Sequence, residues 1–124
     1  MAQLTKAEEQ VMEIIWQHQT VFMKDIIDNY TDPKPAGTTI ATLLKRMQDK
    51  GFVAYETFGN SRRYYALVKK DIYFSNEMKG LIKNSFNNSA LQFASFFTSS
   101  GNISAKELED LKKIIDVEIE RRKK

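Results

Sequence analysis

The stretch TTIATLLKRMQDKGFV, residues 38–53, decides the fold. At ~100° per residue, Ile40, Leu43, Leu44 and Met47 fall on one arc and form the core stripe of a helix running from Ala36 or Gly37 to Lys50. Thr38, Ala41, Thr42 and Lys45 lie opposite, with Asp49 further along; Thr39 and Arg46 occupy one flank, and Lys50 lies beyond them. Gly51 suits the left-handed residue that stops a helix. Threonine is a poor helix former, because its branched side chain is restricted and competes for backbone hydrogen bonds. Its hydroxyl can instead bond a base edge, and threonine or alanine can pack on a thymine methyl. The polar face therefore reads as one that meets DNA; a solvated back of an ordinary amphipathic helix is the alternative.

Upstream, Thr5 and Glu8 form a capping box, a threonine cap answered by a carboxylate three residues later. The helix that follows carries Ala7, Val11, Ile14 and Ile15 at helical spacing and is expected to end near His18. Its Glu8, Glu9 and Glu13 read as a solvated acidic face. Thr20 is placed to cap a second short helix whose apolar side is Met23, Ile26, Ile27 and Tyr30. TDPKPAG, residues 31–37, then breaks the chain, since two prolines and a glycine cannot continue a helix.

Downstream the period changes. FVAYETF and RYYALV are aromatic and β-branched runs separated by GNSR, which reads as a two-stranded hairpin. Three helices followed by a hairpin with a basic tip is the order of a winged helix-turn-helix. In that arrangement the second helix of the motif enters the major groove by its N-terminal half. Thr38, Thr39, Ala41 and Thr42 are then the base-reading residues, with Lys45 and Arg46 on bases or backbone. The wing residues Asn60, Ser61, Arg62 and Arg63 would meet the DNA backbone or minor groove. From Lys69 the pattern is helical again, interrupted at NSFNNS and TSSGN. Ser104 and Glu107 repeat the capping box ahead of a stripe of Leu108, Leu111, Ile115 and Ile119.

Charge and composition narrow the function classes. The chain of 124 residues has a formal charge of only +3, but that charge is unevenly spread. Residues 5–33 set two lysines against six carboxylates, whereas residues 34–63 set six cations against two carboxylates. A local basic segment attracts a polyanion and supplies salt-dependent affinity. With no cysteine and a single histidine, His18, a transition-metal site is not expected, and no cofactor is. No phosphate loop, nucleophile elbow or catalytic triad is present, so an enzyme is not expected. No segment reads as a leader or membrane span, which leads to an expectation of a cytoplasmic protein with no membrane insertion. Trp16, Tyr64 and Tyr65 have the ring faces to stack on single-stranded bases, but wing-strand and helix-end packing is the favoured use.

Three segments resemble the BlaI/MecI/CopY family of penicillinase repressors. LTKAEEQVMEIIW at 4–16 is similar to the family's opening motif, and TIATLLKRMQDKGFV at 39–53 to its recognition-helix signature. Thr39, Ile40, Thr42, Leu44, Arg46, Met47, Lys50 and Gly51 carry the second likeness, and RRYYALV at 62–68 matches the return strand. The resemblance implies a mainly α protein with a small β-hairpin wing: a winged helix-turn-helix DNA-binding domain at 1–69, then a helical dimerisation domain at 70–124. It implies a repressor acting as a homodimer on a two-fold symmetric double-stranded DNA operator. Leu108, Leu111, Ile115 and Ile119 are the implied dimer contacts. In the family a membrane sensor protease cuts an Asn-Phe bond between the dimerisation helices. The comparable bond here is Ser95-Phe96, without the asparagine; dimer core is the favoured role of Phe93, Phe96 and Phe97 individually. Family members that control β-lactamase genes carry basic residues where this chain has Thr38 and Ala41, so their operator does not transfer. The copper-responsive branch uses a cysteine-rich metal site that this chain lacks. A winged helix that binds a protein partner through the same face is the reading from another class.

Overall fold

A computed structural model describes residues 3–124. It separates into two compact units, one ending at Ser75 and the other beginning at Asn76. The first unit holds α1 (Lys6–His18), β1 (Thr20–Phe22), α2 (Met23–Asp28), α3 (Gly37–Asp49), β2 (Val53–Phe58) and β3 (Ser61–Ala66). Helix α4 (Lys70–Ser85) crosses the boundary, and α5 (Ala90–Ser100) and α6 (Ala105–Arg122) complete the second unit.

Thr5 and Glu8 close the expected capping box, with the Glu8 N–H donating to Thr5 Oγ1 at 3.2 Å and the Thr5 N–H to Glu8 Oε1 at 2.8 Å. The buried side of α1 is Glu8, Val11, Met12 and Ile15. Ala7, read as apolar-face, is exposed, and Ile14 is only half-buried. The acidic face also needs correction. Glu8 is fully buried and paired with Lys50 Nζ at 2.6 Å, and Glu9 Oε2 accepts from the Tyr73 hydroxyl at 2.7 Å. Lys50 and Tyr73 lie far away in sequence, which is why local periodicity assigned both carboxylates to solvent.

Thr20 does not cap a helix. Thr20–Phe22 is a strand that pairs antiparallel with β3, with Val21 opposite Tyr64, so the sheet has three strands in the order β1-β3-β2. Helix α2 starts at Met23 instead, where Asp25 Oδ2 accepts from the Phe22 N–H at 3.2 Å. Three residues with one buried side chain are too few to show a period of two.

Helix α3 buries Ile40, Leu43, Leu44 and Met47, the four residues of the expected stripe. Gly51 takes φ +84°, and the Phe52 N–H returns to Met47 O at 2.9 Å, which ends the helix and drops Phe52 into the core. Val11, Met12, Ile15, Ile26, Phe52, Val53 and Tyr64 complete that core. Burial of each such side chain contributes about 1.5–3 kcal/mol. Trp16 and Tyr64, weighed above as stacking platforms, are part of this packing. The Trp16 indole donates to Val68 O at 2.8 Å, and Tyr64 is buried. Tyr73 and Phe74, on the first turn of α4, pack on Trp16 with ring centroids 5.7 and 5.8 Å away. The first unit accordingly extends into α4.

In the second unit, Asn87 and Asn88 adopt positive φ between α4 and α5. Ser89 caps α5, and Ser104 and Glu107 close the capping box of α6. Helix α5 continues through Thr98, Ser99 and Ser100, residues read as an interruption; the Thr98 and Ser99 hydroxyls bond back to carbonyls of the preceding turn. Phe86, Phe93, Phe96 and Phe97 form an aromatic cluster with centroids 5.3–6.0 Å apart. No residue of α5 or α6 is buried.

Candidate nucleic-acid interface

The core stripe of α3 fixes what its other side presents. Thr38, Thr39, Ala41, Thr42, Lys45 and Arg46 are all exposed. The Thr42 hydroxyl donates to Thr38 O at 3.0 Å. Its proton is thus used within the helix, leaving the methyl group and the oxygen's accepting capacity for a ligand. Lys45 Nζ lies 3.0 Å from Asp49 Oδ1, with 69% and 62% of the two side chains exposed. An exposed pair of this spacing is worth about 0.3–0.5 kcal/mol, little enough for a nearby phosphate to displace the carboxylate. Arg46 forms no ion pair among the described residues.

Lys50, on the far flank of α3, belongs to the architecture. Its ammonium bonds Glu8 Oε1 at 2.6 Å and the Gln3 carbonyl at 2.9 Å, tying the end of α3 to the start of α1. Burial pushes the Glu8 pKa up, but hydrogen bonds from Lys50 and Thr5 and the charge of Lys50 outweigh that, and the net shift is downward. Glu8 Oε2 has no protein partner. Its stability contribution hence rests on the single Lys50 contact and the capping bonds.

Strands β2 and β3 meet in a two-residue turn, Gly59-Asn60, with Phe58 opposite Ser61. Gly59 has φ +61°, the geometry that a tight hairpin turn asks of glycine. The two wing arginines point to opposite faces of β3, as alternation requires. The Arg62 guanidinium sits 4.3 Å above the Tyr55 ring, and Tyr64 first, then Tyr55, favours its charged form. Arg63 instead stacks 4.4 Å over Phe58 and pairs with Glu56, its register partner, at 3.3 Å.

Between α3, the start of α2 and the wing tip lies a groove of about 380 Å³. Ala41, Lys45, Asn60, Ser61 and Arg62 line it, so recognition-helix and wing residues picked out separately in the sequence share one concave surface. Thr38, Thr39, Thr42, Arg46 and Arg63 are not on its walls. Lys24 and Gln48 are, and neither was identified from the sequence. Helical spacing places Gln48 one turn after Lys45, but Lys24, at the start of α2, gave no signal, because the groove it lines forms only when the wing folds beside α2 and α3.

The remaining candidates lie in the second unit. Leu108 and Leu111 are half-buried, whereas Ile115 and Ile119 are 57% and 45% exposed, as are their neighbours Ile114 and Val117 at 62% and 67%. Ser95 and Phe96 sit in the interior of α5, where Ser95 O accepts from the Ser99 hydroxyl at 2.7 Å. Among the described residues, no helix is long and apolar enough to cross a membrane, and no cluster of His, Asp and Glu could hold a metal.

Comparison with known proteins agrees with this geometry. The family model described as penicillinase repressor matches residues 4–117. The methicillin resistance regulatory protein MecI of Staphylococcus aureus strain N315 is 29% identical over 119 residues, covering 92% of this chain and 94% of the relative. The penicillinase repressor of Bacillus licheniformis is 22% identical over 122 residues, 98% of this chain and 95% of that protein. The solution structure of the DNA-binding domain of the repressor BlaI superposes with a TM-score of 0.51 at 26% identity, covering 57% of this chain and 88% of that domain.

Proposed function

The chain belongs to the penicillinase repressor family, and from that premise we propose that it is a sequence-specific DNA-binding transcriptional repressor. One observation carries this reading: α3 turns six polar or small side chains outward beside a basic wing, and none of the six is needed by the core. Thr38, Thr39, Ala41 and Thr42 read bases, Lys45 and Arg46 reach bases or backbone, and the wing tip at Asn60–Arg63 holds the backbone. The protein works in the cytoplasm, where its operator lies.

The repressor acts as a homodimer on a two-fold symmetric operator. Support comes from α5 and α6, which leave Leu91, Phe96, Ile114, Ile115, Val117 and Ile119 exposed. A second copy would cover them, with about 1.5–3 kcal/mol gained for each side chain fully buried. The functional division at 69/70 follows the same logic, a DNA reader followed by a dimerisation arm, with Tyr73 and Phe74 just past that division packing on the reader. Two recognition helices would then meet half-sites about 34–36 Å apart on one face of the duplex. Release by a membrane sensor protease at Ser95-Phe96 would require α5 to open first, because that bond is helical.

The test is a mobility shift of the full chain with its own upstream DNA and with random DNA, at two salt concentrations. Preference for the upstream duplex, and a log–log salt slope lowered by about one in Arg46→Ala, are expected. Equal binding to both duplexes would indicate an architectural protein. No binding at low salt would favour a protein partner for the same face.

A further inference from the structure

We propose that the cleft between the end of α1, the end of β3 and the start of α4 binds a small planar aromatic carboxylate, with Trp16 and Tyr65 against its ring and Lys69 on its charge. The site is separate from DNA binding and shares no lining residue with the groove beside the wing. All its lining residues belong to the first unit. Its volume is about 810 Å³, within the range of small-molecule sites, about 300–1,000 Å³.

The walls present ring surface and positive charge together. Alternation along β3 sends Tyr64 into the core and Tyr65 to the other face, where its half-buried side chain lines the cleft. The Tyr65 hydroxyl, like the Gln17 and Gln19 amides on the same walls, makes no hydrogen bond among the described residues. Trp16 commits its indole N–H to Val68 O at 2.8 Å, so ring surface is what it has left for a ligand. Lys70 pairs with Glu13 at 3.0 Å, whereas Lys69 forms no ion pair among the described residues. Two ammoniums against one carboxylate leave the walls with one positive charge. A carboxylate balances that charge, and a doubly charged phosphate monoester exceeds it. Both lysines also stand at the N-terminal end of α4, where the helix dipole favours an anion.

Gln19 is an independent sign of a built site. Its backbone lies at φ +68° and ψ −57°, a strained conformation for a residue with a side chain. Strain of this kind collects at ligand clamps, and here it holds one of the unpartnered amides on the cleft wall.

Calorimetric titration of the full chain with naphthoate tests the site, read together with the indole N–H resonance of Trp16, the single tryptophan. Binding that shifts this resonance is expected. Lys69→Gln, a change at an exposed side chain, should weaken it about tenfold, and Tyr65→Leu about three- to tenfold. Neutral naphthamide should bind about tenfold more weakly than naphthoate, and saturating upstream duplex should leave naphthoate affinity unchanged. No binding, or binding that leaves the indole resonance unmoved, would overturn the proposal. Full-strength binding in Lys69→Gln, equal affinity for naphthamide, or adenosine monophosphate bound more tightly than naphthoate would do the same. Affinity lost in Arg62→Gln, or in the presence of duplex, would put the anion on the DNA-facing side and contradict the assignment.

Discussion

Helices α3 and α6 are both amphipathic and both carry an apolar stripe, yet they end in opposite states. Helix α3 buries Ile40, Leu43, Leu44 and Met47 against its own unit. Helix α6, with 18 residues, buries none, and Ile114, Ile115, Val117 and Ile119 remain exposed. The difference lies in what surrounds each helix. Helix α3 has α1, α2 and a sheet to close over it, so its polar face is left over for a ligand. Helix α6 has its polar face in water and its apolar face uncovered. An apolar stripe thus predicts that a face will be buried; what buries it depends on the rest of the chain, or on another chain.

The comparison breaks most visibly at the core. Met47→Ala should cost about 2–5 kcal/mol in a denaturant titration, at any protein concentration. The same truncation at Ile115 should leave unfolding of the first unit unchanged and act only where a second copy binds. Equal, concentration-independent losses from the two variants would mean that α6 is packed within its own chain.

A second effect concerns how α3 is held. Lys50→Met should cost about 3 kcal/mol, because it strands the buried Glu8 carboxylate without its partner. The folded chain lowers the Glu8 pKa below its ordinary value of 4.5. Its contribution is therefore fully present above about pH 4.5, the ordinary value, and is lost as pH falls through the lower, folded value. Stability measured against pH should show that acid loss in the natural chain and a smaller one in Lys50→Met. An identical acid profile in both would contradict the assigned pairing.

Where sequence reading succeeded and failed follows from the range of the interactions. The capping boxes at Thr5 and Ser104, the stripe of α3 and the stop at Gly51 are local, and each is legible within a few residues. Glu8 and Glu9 were misread because their partners, Lys50 and Tyr73, arrive only when the chain folds. Strand β1 was missed because its evidence is a partner strand more than forty residues on, in a segment that looks like a helix cap. Alternation along β3 already separates Arg62 from Arg63; that Glu56 holds Arg63 requires the register. Lys24 became a candidate only with the groove itself.

The central claim is that the first unit reads DNA and the second recruits another copy to do so on a symmetric site. Sedimentation equilibrium of the full chain mixed with its upstream duplex tests both halves at once. Two chains per duplex are expected, and a species of twice the chain's own mass at micromolar concentration without DNA. A single chain per duplex, with only monomer in its absence, would contradict it.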